Sequence, residues 1–229
     1  MRQGSVLGVH ARRIGPCLSL LAGVAAMAAT PAARDADAPA APAIDVRLTA
    51  SIDVPPLATT VLQAEAEAIW GRAGVRLRWP SAPRDTPAAA SLRVLVLQRE
   101  GHAASGHSWA VGELLLDQAD QPIAVVSTTA ARRVVAIAGH DGEPQALSDR
   151  RLGVVLGRAV AHEIGHFLLA TRGHARTGLM RAHVDVTDFA DLRSGGFHLD
   201  RDAGDWLRSW LPHPAAARQT LAGFTYQPR

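Results

Sequence analysis

The sequence predicts an α+β domain, a small twisted mixed sheet with a backing helix, followed by a long helix that carries two histidines on one face. Three observations predict it. Short segments of period-two alternation, separated by Pro- and Gly-rich turns, fill residues 44–126. One helical-period segment lies between the first two of them. A second, longer one runs from Ser148 to about Ala170.

Taken in order, Ile44, Val46, Leu48, Ala50 and Ile52 alternate with other residues and share one face of a half-buried strand. Pro55-Pro56 ends it. Leu62, Ala66, Ile69 and Trp70 then recur at helical spacing within Leu57 to Ala73, and Gly74 stops the helix. Val75, Leu77 and Trp79 alternate with Arg76 and Arg78 in a short strand, and Leu92 to Leu97 forms another after a loop rich in Pro and Ala. Gly101 to Gly112, rich in Gly, Ser and His, reads as an exposed loop. Leu114 to Leu116 and Ile123 to Val126 read as two further strands around the polar turn Asp117 to Gln121, which makes a sheet of four or five strands. Val134 to Ala138 fits strand and helix equally. In the long helix Ser148 is placed to cap, Asp149 lies near the positive dipole end, and Leu152, Val155, Leu156, Ala159 and Val160 form the apolar stripe. A last helix, about Asp200 to Leu211, has Ala203, Trp206, Leu207 and Trp210 on one side.

The chain has 229 residues, 48% hydrophobic and 20% charged, enough for one well-filled core and too few for two large ones. All 24 basic residues are arginine, and three of them, Arg2, Arg12 and Arg13, precede residue 31, where there is no acid. Taking those three from 24 leaves 21 arginines against 21 acidic residues, so the rest of the chain is formally neutral. Downstream arginines cluster only in pairs, Arg132-Arg133 and Arg150-Arg151, so no nucleic-acid partner is expected.

The three early arginines precede an uncharged stretch, Pro16 to Ala29, that ends in small residues with Ala26-Met27-Ala28 as a cleavage site. Residues 1–28 therefore read as a signal peptide, too short in apolar run for a comfortable span. Gly15 and Pro16 after Arg12-Arg13 favour the Sec route over the twin-arginine route. Residues 29–43, almost all Ala, Pro and small polar residues, read as a flexible tether, and 44–229 as the domain. The expected location is extracytoplasmic, periplasmic or secreted, with no stable membrane insertion after cleavage. Cys17 leaves with the signal, so a metal site in the mature chain must use His, Asp and Glu.

The long helix contains His162-Glu163-Ile164-Gly165-His166, an HExxH pattern. Residues four apart differ by roughly 6 Å in rise and about 40° in azimuth, so both imidazoles can bind one metal ion. Glu163, one position on, is displaced from the ligand line and can take a proton from a water activated there. Catalytic zinc usually has a third protein ligand. No glutamate follows Glu163, which leaves His174, His183, His198, His213 and the aspartates from Asp185 onward. His174 is preferred because Gly173 allows a sharp turn back toward the helix. His183 and His198 read as surface residues.

The run from His162 through His166 to Gly173-His174, followed by Gly178-Leu179-Met180, resembles metzincin-type zinc metallopeptidases, and especially small exported bacterial peptidases of that kind. The likeness is strong over about residues 150–182. It implies a zincin-like fold with His162, His166 and His174 as zinc ligands, Glu163 as catalytic base, and Met180 as the Met-turn residue under the metal. Two departures stand out: Leu169 replaces the family's glycine and Arg172 stands where its third histidine falls. The resemblance also implies that an extended substrate pairs with an edge strand above the helix, for which Ile123 to Ser127 is the candidate.

The expected activity is that of an exported zinc endopeptidase acting on peptides or proteins. The rival readings are a catalytically silent zinc-binding interaction module and a metal-dependent cell-wall amidase. An oxyanion-stabilising group stays open among Arg172, Arg176 and His107, because the only tyrosine, Tyr226, lies near the C-terminus.

Overall fold

A computed structural model of the chain describes residues 41–81, 88, 90–100, 103–104, 108–109, 111–115, 122–193 and 195–210. The expected signal segment, most of the tether, the turn Asp117 to Gln121, and His107, Leu211, His213 and Tyr226 lie outside the described residues.

The chain is α+β, with a mixed five-stranded sheet. Strand β1 (Ala43–Ala50) leads through helix α1 (Pro56–Arg72) to β2 (Arg76–Arg78), which pairs parallel with β1. Strand β3 (Ala90–Leu97) lies parallel on the other side of β1. Next come two short strands, β4 (Ala103–Ala104) and β5 (Ser108–Trp109), paired antiparallel within the stretch read as a loop. Strand β6 (Gly112–Leu115) and strand β7 (Ile123–Ser127) complete the sheet in the order β2-β1-β3-β7-β6. Only β6 runs antiparallel to its neighbour.

This order corrects one expectation. The Ile123 to Ser127 strand is interior, hydrogen-bonded to β3 on one side and β6 on the other, so it offers no free edge. Among the described residues β6 pairs with β7 alone and lies at one edge of the sheet, with β2 at the other.

The sheet buries one face. Ile44, Val46, Leu92, Val94, Val96, Ala124 and Val126 are buried, while the intervening Arg47, Thr49 and Arg93 are exposed. Ile52 departs from the expected stripe and is fully exposed. The strand ends at Ala50, after which the Ser51 hydroxyl bonds the Asp53 carboxylate and the chain turns.

After β7 the Ser127 hydroxyl accepts from the Ala130 N–H at 3.0 Å and caps α2 (Thr128–Ala138), which settles Val134 to Ala138 as helix. Helix α3 (Gln145–Leu168) begins three residues before Ser148. Pro144, with φ −58°, supplies the first accepting carbonyl, so Ser148 lies inside the first turn and does not cap. Helix α4 (Val186–Ala190) is capped by Asp185. Helix α5 (Arg201–Trp210) buries Ala203 and Leu207, and Asp200 accepts from the Ala203 N–H.

Helix α3 is buried along most of its length, between α1, the inner sheet face and α2. Two glycines let α1 come close. A β-carbon at Gly153 would lie 2.6 Å from the Ala58 carbonyl oxygen, and one at Gly157 would lie 2.8 Å from that of Leu62. The Trp70 indole of α1 donates to the Ala161 carbonyl at 3.2 Å, fixing α3 one residue before His162. Among the described residues no helix is long and apolar enough to cross a membrane.

Candidate metal centre

Helix α3 presents His162 and His166 one turn apart, with ring centroids 4.6 Å apart. The helix ends at Leu168, and Ala170 then adopts φ +46°, a left-handed conformation that reverses the chain. That residue makes the turn expected of Gly173, which is not among the positive-φ positions. The outcome is nevertheless the expected one. The His174 ring comes to 4.9 Å from His166 and 5.4 Å from His162, centroid to centroid. One ligand nitrogen from each of the three histidines lies within 4.8 Å of the others, so the triad could hold a metal ion.

The ring orientations fit that use. The His162 Nδ1 faces the Leu179 carbonyl at 2.8 Å, and the His166 Nδ1 faces the Thr171 carbonyl at 2.8 Å. A carbonyl can only accept, so each Nδ1 carries the proton and each Nε2 keeps its lone pair for a ligand. Burial lowers the pKa of His162 to about 4, with the neighbouring His166 adding to the effect. Burial also lowers His166 and His174. Three neutral imidazoles with no thiolate suit a borderline divalent ion such as zinc.

Glu163, next to His162 on α3, packs its side chain against Gly112 of β6. A β-carbon at Gly112 would come within 2.5 Å of its Oε1. Burial pushes the Glu163 carboxyl up to about 8, and the nearby Glu113 charge pushes in the same direction. A carboxyl held this way takes up a proton more readily than an exposed one.

Met180 lies under the helix. A β-carbon at Gly165 would fall 2.2 Å from the Met180 Sδ, so glycine between the two helical histidines makes room for the thioether. The turn leading to Met180 is fixed by Gly178, with φ +76° and no space for a side chain against the His198 carbonyl. The Leu179 N–H donates to that same carbonyl at 2.7 Å, while the Leu179 carbonyl orients His162.

The other candidates stay apart. His183 and His198 are exposed and do not join the triad. Asp185 is exposed, and its carboxylate accepts from the Thr187 N–H and hydroxyl. Arg172 and Arg176 are exposed on the His174 loop.

Sequence reasoning missed Gly112, Gly165, Leu179 and Thr171. The last two act through backbone carbonyls, which no side-chain pattern reveals. Compared with protein-family models, curated proteins and solved structures, the chain matches none of them.

Proposed function

We propose that the chain is an exported, zincin-like zinc endopeptidase of metzincin type. The observation that carries this reading is the convergence of His162, His166 and His174 to within 4.8 Å of one another, with the buried Glu163 next to His162 on the same helix and packed against β6. Bound zinc would supply Lewis acidity toward a peptide carbonyl and toward water. His162, His166 and His174 would hold it. Met180 would support the ligand helix from below through Gly165.

The chain's own residues supply the rest. The Glu163 carboxylate takes a proton from the attacking water and returns it to the leaving amine. Strand β6, at an edge of the sheet among the described residues, offers an extended peptide a row of backbone groups, and Gly112 brings that strand against Glu163. Secretion is supported by the residue pattern of 1–28.

The test is metal analysis of purified protein together with peptide hydrolysis before and after chelation. One zinc per chain and cleavage that chelator abolishes and zinc restores are expected. Stoichiometric zinc with no cleavage of any peptide would favour the silent binding module.

A further inference from the structure

Helix α3 carries a buried cation that the chemistry above does not use. Arg158 is 1% exposed and stands four residues before His162, as His162 stands four before His166, so the guanidinium and both imidazoles follow one stripe of the helix. A buried charge is costly unless it is paired and hydrogen-bonded. Here the Nε meets the Glu65 carboxylate at 2.9 Å, and the Nη1 donates to the Asp188 and Phe189 carbonyls, each at 2.9 Å. The face of the guanidinium takes an aromatic ring: its Cζ lies 4.3 Å from the Phe197 ring centroid.

Phe197 belongs to an irregular strap, residues 195–200, that leads into α5. Two more arginines hold it. The Arg181 Cζ lies 5.1 Å from the same ring centroid, and Arg72 of α1 reaches the Phe197 carbonyl at 3.5 Å. The next residue supports the metal centre. The His198 carbonyl accepts from the Leu179 N–H at 2.7 Å, and it passes so near Gly178 that a β-carbon there would fall 2.4 Å from it. The Leu179 carbonyl in turn takes the His162 Nδ1–H at 2.8 Å. These contacts close a circuit that leaves α3 at Arg158 and returns one turn later at His162. His166 lies outside it, because its Nδ1 is held by the Thr171 carbonyl just past the end of its own helix.

We propose that Phe197, held by Arg158, is a positioning residue: the 195–200 strap fixes the Leu179 carbonyl, and through it the tautomer and ring angle of His162. It acts through His162 alone and leaves His166 to the turn after α3. This rests on the reading of His162, His166 and His174 as a metal centre. Loss of the support behind a ligating imidazole costs about 10- to 100-fold in metal affinity. A Phe197 that only filled the core would lower stability and leave the folded site unchanged.

The experiment uses the full-length protein with nitrogen-15 in its histidine rings, first without metal and then titrated with zinc. At about pH 8, where ordinary imidazoles are neutral, long-range nitrogen–proton spectra show which ring nitrogen carries the proton. Wild type should show His162 and His166 both protonated on Nδ1. Phe197→Leu, which keeps an apolar side chain and removes the ring, should turn His162 into a mixture of tautomers and leave His166 as it was. Its zinc affinity, read by chelator competition, should fall about tenfold or more. Arg158→Lys, which keeps a charge for Glu65 and loses the planar face, should give the same selective change. Variants that fold with both histidines and zinc affinity unchanged would overturn the proposal, and so would an equal change at His162 and His166. If neither variant folds, the wild type decides. A single Nδ1–H tautomer of His162, with its proton exchanging as slowly as the Leu179 N–H, would sustain the proposal, and a proton on Nε2 or a mixture would overturn it. A selective change at His162 in a protein that takes up no zinc would sink the metal reading and leave the strap in its role.

Discussion

Gly112 of β6 and Glu163 of α3 face each other so closely that a β-carbon on the strand residue would come within 2.5 Å of the Glu163 Oε1. The position of β6 and that of the Glu163 carboxyl are therefore set by one contact, and a glycine is the only residue that permits it. On the proposed reading, a peptide paired to that edge would pass beside the carboxyl.

Gly112→Ala should accordingly separate fold from chemistry. The atoms that must yield belong to the Glu163 side chain rather than to backbone, so the protein should fold and keep its zinc. Displacing the base by about 1 Å should cost on the order of 10- to 100-fold in kcat. Steady-state kinetics beside metal analysis would check this, and unchanged kcat would show that hydrolysis does not depend on where Glu163 sits.

Glu163→Gln should keep metal and lose about 10²- to 10⁴-fold in hydrolysis, because the amide has the shape but cannot accept the proton. The same variant tests the burial of the carboxyl in the metal-free protein. The folded pKa of about 8 lies above the ordinary 4.5, so folding favours the protonated form. The cost is absent below pH 4.5, grows as pH rises and levels off above about 8. His162 acts at the other end: with its folded pKa of about 4 below the ordinary 6.5, stability falls as pH drops from 6.5 to 4. Chelator-treated Glu163→Gln should therefore gain a few kcal/mol over wild type between pH 5 and pH 8 in urea unfolding. A pH-independent difference would mean that the carboxyl is hydrated.

Gly157→Ala should destabilise the fold although alanine is the better helix former by about 1 kcal/mol. Its β-carbon would lie 2.8 Å from both the Leu62 carbonyl oxygen and the Glu65 β-carbon, so α1 and α3 must move apart. Overpacking of that kind costs about 1–3 kcal/mol net. A chemical-denaturation midpoint equal to wild type would show that the helices slide past each other freely.

The elements that alternate or repeat strongly are legible in the sequence. Val46, Leu92 and Val94 lie where period two puts them, and Leu62, Ile69 and Trp70 where period 3.6 does. What stayed hidden was set by chain direction and backbone. Residues 112–115 and 123–127 both read as strands, but only the hydrogen-bonded order decides which of them is the edge. Ser148 has the chemistry of a cap, yet Pro144 starts the helix because its fixed φ is already suited to that position. The His162 and His166 pair was legible because helix geometry alone brings i and i+4 together. His174 was legible as a candidate, but its arrival depends on Ala170 adopting a left-handed conformation that alanine ordinarily avoids.

The third ligand gives the sharpest remaining test, because this chain differs there from the family it resembles. His174 stands eight residues after His166, two beyond the resemblance's usual position, and reaches the triad through the reversal at Ala170. Its rival Asp185 spends its carboxylate on Thr187 at the start of α4 and lies outside the histidine group. His174→Ala should therefore weaken zinc binding by at least about a hundredfold, with one of three donors gone and the remaining pair unable to enclose the ion. Asp185→Ala should leave zinc affinity within about twofold and cost only the cap, about 1 kcal/mol of stability. Competition titrations with a chromophoric chelator on both variants would measure this. The reverse order of affinities would assign the third donor to the aspartate and remove the metzincin-like ligand set, while leaving His162, Glu163 and His166 in their roles.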